Sequence, residues 1–149
     1  MMRIRASATL LLLLLMTSAP APARKEESLQ ELLARAEAAK LQDQPNLYTE
    51  AAERQLKAAD QFFNEGNIED GRSAVKDVVT FSDKAGNAAS RSGKQIKHTE
   101  ITLRKMAAKL RDIKRGLAFE DQAPVQEAAD HLEQLRTDLL ARMFGKEPK

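Results

Sequence analysis

Between Arg91 and Arg115 the chain carries nine cations, Arg91, Lys94, Lys97, Arg104, Lys105, Lys109, Arg111, Lys114 and Arg115, against the two acids Glu100 and Asp112. Guanidinium and ammonium groups at this density can hold phosphate, sulfate or carboxylate oxygens through charge-assisted hydrogen bonds. The candidate residues for an anionic partner are Arg104, Lys105, Lys109, Arg111, Lys114 and Arg115. The following stretch, Gly116 to Asp138, reverses the sign, with Glu120, Asp121, Glu127, Asp130, Glu133 and Asp138 against Arg136. Neighbouring antiparallel helices of opposite sign attract along their flanks, so the run can also serve only a solvated helix hairpin. Its functional reading is a strip that meets an envelope polyanion, anionic lipid headgroups or an acidic client protein. Nucleic acid is not expected as a partner, because no aromatic side chains interleave the cations to stack bases.

Other chemistry has few carriers. His98 and His131 are the only histidines and there is no cysteine, so neither a zinc set nor a thiolate nucleophile can be assembled in the usual way. Both histidines fall off the apolar seams and read as solvent-facing helix residues. No G-x-S-x-G elbow, phosphate-binding glycine loop or dinucleotide fingerprint occurs, and Glu69 with Asp70 suits the first turn of a helix. We therefore expect no catalytic, cofactor-binding or metal-ligating residues, and no enzyme.

The cations have to be positioned by helices, and export comes first. Arg3 and Arg5 precede an apolar run from Ala8 to Met16 and then the small, proline-rich "TSAPAPA", the layout of a secretory signal peptide. Small residues at Ala21 and Ala23, with no proline after the latter, place cleavage between Ala23 and Arg24. The apolar run is about half the roughly 20 residues a membrane span needs. The reading is thus a signal peptide over 1–23, a secreted or periplasmic location, and a single domain over 24–149 with no transmembrane segment. Of the 24 basic and 22 acidic residues, Arg3 and Arg5 account for the net +2, so the mature chain is neutral. Without disulfides, stability must come from apolar packing.

Periodicity makes that packing helical. Ser28 and Glu31 form a capping-box pattern before Leu29, Leu32, Leu33 and Ala36, which predicts a helix over 28–42. Asp43, Pro45 and Asn46 break it. A second helix over 47–65 carries Ala52, Leu56, Ala59 and Phe63, and Gly66 stops it. Ile68, Gly71, Val75, Val78, Ser82, Ala85, Ala89, Ser92, Ile96, Thr99, Leu103, Met106, Leu110, Ile113 and Leu117 then recur at alternating three and four without a phase slip. This register predicts one continuous helix over 68–117, although Gly86 and Gly93 each cost about 1 kcal/mol in a helix interior. A last helix over 122–144 opens on Pro124, carries Val125, Ala128, Leu132, Leu135 and Leu139, and is closed by Gly145. The expected fold is all-α: an elongated antiparallel bundle on one long heptad-patterned, coiled-coil-like helix, with a compact five-helix up-and-down bundle as the alternative.

The stretch "FFNEGNIEDGRSAV", Phe62 to Val75, resembles the turn of a tetratricopeptide repeat, with Gly66 and Asn67 in the link and Gly71 as the small packing residue. No second copy follows at the period of about 34 residues that such an array uses. The resemblance implies at most a peptide-binding groove. Taken together, the sequence predicts an exported, non-enzymatic helical protein that acts through a protein partner or self-association as a scaffold or adaptor. The alternative is a chaperone-like protein or a binder of polyanions and anionic surfaces.

Overall fold

A computed structural model describes residues 26–145 of the chain. The segment read as a signal peptide, the expected cleavage residues Ala21, Ala23 and Arg24, and the last four residues lie outside them. Five helices follow one another: α1 (Leu29–Ala38), α2 (Gln44–Asn64), α3 (Ile68–Ser92), α4 (Ile96–Arg115) and α5 (Phe119–Met143).

Local chemistry sets most of the boundaries. Ser28 Oγ accepts the Glu31 backbone N–H at 3.1 Å and starts α1. The helix ends four residues before the expected 42, because Ala39 turns into extended backbone. Pro45 does not separate α1 from α2. It sits, buried, in the first turn of α2, where a missing N–H leaves no helical bond unmade. Between α2 and α3, Gly66 takes φ +77 and the Asn67 N–H bonds back to the Phe62 carbonyl at 2.8 Å. Asn67 caps no backbone N–H; its side-chain amide donates instead to Asp70 at 2.6 Å. The helices behind this turn press together at Gly71, where an added Cβ would lie 2.6 Å from Phe63 Cε1.

The single helix expected over 68–117 does not form. Most of its seam is buried, with Gly71, Val75, Val78, Ser82, Ala85 and Ala89 on one side and Thr99, Leu103, Met106, Leu110 and Ile113 on the other, while Ile68, Ser92, Ile96 and Leu117 are half-buried. The backbone breaks between these groups, where Gly93 at φ +66 and Gln95 at φ +61 both take the left-handed conformation. The Gly93 N–H bonds to the Ala89 carbonyl at 2.9 Å and closes α3. The Lys94 N–H goes to Ser92 Oγ at 3.1 Å, so Ser92 belongs to the end of α3 and does not cap α4. The chain is therefore the five-helix alternative, and residues 85–92 are helix while 93–95 are an elbow. The last helix begins at Phe119, ahead of the expected 122, which puts Pro124 inside it on an exposed face.

Cross-helix pairs define the assembly. α2 packs antiparallel on α3, and α4 antiparallel on α5. The two hairpins then lie side by side in the same direction. On one flank α3 runs parallel to α5, through Arg72–Asp121 at 2.7 Å, Asp83–His131 at 2.6 Å and Gly86 beside Leu135. On the other, α2 runs parallel to α4 through Asp60–Lys109 at 2.7 Å. Both hairpin turns consequently lie at one end of the bundle. The elbow, the α1–α2 loop and the end of α5 lie at the other. Leu56, Val78, Leu103, Leu110, Val125 and Leu132 fill the shared core, and α1 covers it with Leu32. A smaller cluster of Ala36, Tyr48 and Ala85 secures α1 near the elbow end.

Candidate anion-binding surface

The fold divides the basic run into two halves with different surroundings. Toward the hairpin turns every cation is occupied. Lys109 pairs with Asp60 at 2.7 Å, Arg111 with Glu133 at 3.3 Å and Arg115 with Asp112 at 2.8 Å, while Lys114 donates to Gln126 Oε1 at 2.7 Å. Such half-exposed pairs contribute only about 0–1 kcal/mol each to stability. Their larger effect is to cancel charge locally. Three of the six expected anion-binding residues thus have their charge cancelled within the fold, and Lys114 is held by a neutral amide.

Toward the elbow the situation reverses. Arg104 and Lys105 are exposed and make no ion pair among the described residues, and the same holds for Arg91, Lys94 and Lys97. Arg142, on the last turn of α5, brings to this end a further cation that makes no ion pair among the described residues. Helical spacing explains the exposure: Thr99, Leu103, Met106 and Leu110 turn inward, which sends Lys97, Arg104 and Lys105 outward. Lys97 and Lys105 are eight residues apart, so this face is about 12 Å long at 1.5 Å per residue. That is close to the roughly 8–10 Å over which exposed charges reinforce one another at physiological salt.

The single acid of this half is removed from the surface. Glu100 is 6% exposed and accepts from Arg136 Nε at 2.7 Å. Arg136 also reaches Glu133 at 3.2 Å, and Glu133 in turn meets Arg111. Hydrogen bonds to Glu100 and then Glu133 raise the Arg136 pKa above its ordinary value, so the guanidinium stays charged and the buried carboxylate stays compensated. The outer face of α4 near the elbow therefore carries cations with no carboxylate among them. Asp138 on α5, Asp43 in the α1–α2 loop and Glu37 on the last turn of α1 are acids of the flanking elements.

Apolar side chains share this end. Phe144 is 71% exposed and Met143 39% exposed. Met143 lines a shallow hollow with Gly93, Ile96, Lys97, His98 and Ile101. The third large exposed apolar residue, Phe119 at 87%, lies at the opposite end and is followed directly by Glu120 and Asp121.

His98 and His131 are both exposed, as expected. His98 stands on the rim of the elbow hollow. His131 Nε2 meets Asp83 Oδ1 at 2.6 Å, a link between α5 and α3 that sequence spacing did not disclose. It flanks an open groove of about 860 Å³ between these helices, floored by Val75, Val79 and Ala128 and edged by Glu69, Lys76 and Glu127. Among the described residues no group of three or more His, Asp or Glu side chains gathers, and no helix is long and apolar enough to cross a membrane.

The fold and this surface describe an all-α bundle with one cationic, partly apolar end. Compared with protein-family models, curated proteins and solved structures, the chain matches none.

Proposed function

We propose that this chain is an exported, non-enzymatic binding protein whose elbow end engages an anionic surface. The observation that carries this reading is the division of its cations: Lys109, Arg111 and Arg115 near the hairpin turns are paired with carboxylates, and among the described residues Arg91, Lys94, Lys97, Arg104, Lys105 and Arg142 are not. Unpaired cations clear of carboxylates attract a polyanion without first breaking an internal bond. Export rests on the signal layout of residues 1–23 and supplies an envelope or extracellular setting. Mass spectrometry of the secreted protein should show Arg24 as its first residue.

Charge removal tests the reading directly. Each cation at an anionic surface contributes about 1 kcal/mol, so Arg104→Ala with Lys105→Ala should weaken binding to heparin or anionic vesicles roughly 30-fold. Lys109→Ala with Asp60→Ala should leave binding within about twofold, because it removes a compensated pair without changing the net charge. Equal losses from the two pairs, or none from the first, would refute the proposal.

A second reading is favoured by the groove between α3 and α5. Its apolar floor and mixed-charge edges suit an extended peptide of a protein partner, the role that the tetratricopeptide-like turn implied.

A further inference from the structure

Resting on the anionic-surface reading, we propose that the surface is a lipid bilayer and that Phe144, with Met143 beside it, enters the headgroup and acyl boundary. A soluble polyanion would need only the cations. This end adds two large apolar side chains that the fold leaves uncovered, Phe144 at 71% and Met143 at 39% exposed. They lie where α5 ends, beside the elbow through the hollow that Met143 shares with Ile96, Lys97 and Ile101. Arg142 precedes them, and Arg91, Lys94 and Lys97 surround the adjoining elbow.

Cations around an exposed aromatic match a bilayer carrying anionic lipid. The charges meet the headgroups, and the ring gains by leaving water for the upper acyl region. Geometry permits both at once. The elbow and the end of α5 close the same end of the bundle, so one approach along the bundle axis brings ring and cations to the membrane together. The opposite end sets a contrast within the same molecule. Phe119 is more exposed, at 87%, but Glu65, Asp70 and Glu120 stand at the same end with no ion pair among the described residues, against Lys114, so an anionic membrane repels it.

The test uses Phe144→Trp, Phe119→Trp and Phe144→Ser in the purified protein, all at exposed positions where the fold does not depend on the ring. The probes are phosphatidylcholine vesicles with and without phosphatidylglycerol, and heparin as a soluble polyanion. The tryptophan at 144 should shift its emission to the blue on vesicles containing phosphatidylglycerol and not on heparin, and the tryptophan at 119 should shift on neither. Phe144→Ser should weaken vesicle binding about tenfold, the consequence of losing the transfer of one aromatic ring out of water, with heparin binding unchanged. Vesicle binding that is unaffected by Phe144→Ser, with no shift at 144, would overturn the insertion and leave the charge reading intact. Failure to bind vesicles and heparin alike would overturn both.

Discussion

Two glycines of α3 and its elbow respond oppositely to the same substitution, and the signs report whether the helix breaks where the structure breaks it. Gly86 lies inside α3, and a Cβ there would meet only Leu135 Cδ2, at an ordinary 3.8 Å. Gly86→Ala should therefore stabilise by about 1 kcal/mol, the helix-propensity difference between the two residues. Gly93 has open space around it, yet its φ of +66 is a conformation that a Cβ opposes. Forcing alanine into it costs roughly 1–2 kcal/mol. The unfolded chain also loses freedom on this substitution, which returns about 0.4–1 kcal/mol, so a net loss of about 1 kcal/mol is expected. For a domain of this size, each kcal/mol moves Tm by about 3–5 °C. Thermal unfolding followed by far-UV circular dichroism should place Gly86→Ala above the parent protein and Gly93→Ala below it. Were residues 68–117 one helix, both glycines would be interior and both substitutions would raise Tm. A rise in both would refute the elbow and, with it, the gathering of the elbow cations beside Phe144.

Two further outcomes follow from the packing. Gly71→Ala would place its Cβ 2.6 Å from the buried Phe63 ring. Overpacking of about 1–3 kcal/mol should exceed the roughly 1 kcal/mol gain in helix propensity, and Phe63→Leu in the same chain should recover part of the loss in a double-mutant cycle. Tyr48 is buried, and burial first, then the charge of Glu37, raises its pKa above the ordinary 10.0. Its neutral form is favoured in the folded state, so that stability is present below about pH 10 and lost as pH rises through the folded value. Urea titrations from about pH 9 upward should show a shallower alkaline loss in Tyr48→Phe than in the parent protein, and equal slopes would contradict the burial argument.

What the fold's geometry adds to the charge pattern is visible at particular residues. The candidate strip was legible as a run of cations, but not which of them would be available. Lys109 sits on α4 and its partner Asp60 on α2, 49 positions earlier; their meeting depends on two hairpins lying parallel. Arg111 and Glu133 could be anticipated from the opposite signs of adjacent helices, and they do pair. Phe144 and Arg142 gave no local signal at all. Only the position of the α5 end beside the elbow relates them to Lys97.

The apolar pattern alone specified the all-α class and most of the buried faces, because a helix's apolar period follows from its 3.6-residue turn regardless of what packs against it. The sequence also marked the turns at Gly66 and the stop at Gly145, where left-handed backbone favours glycine. It did not decide whether the helix continued past Ser92. A heptad seam states which face is inward, and that phase happened to agree on both sides of the break. The tertiary structure decided the matter: Gln95 takes a conformation that disfavours its side chain, at roughly 1–2 kcal/mol, so that α4 can fold back. The return lets α3 cover α5 and α2 cover α4, burying in one core faces that a straight helix would have divided between two separate hairpins. The same reversal brings Arg91, Lys97 and Phe144 to one end, because distant parts of a chain become neighbours only through the packing that fixes their helices.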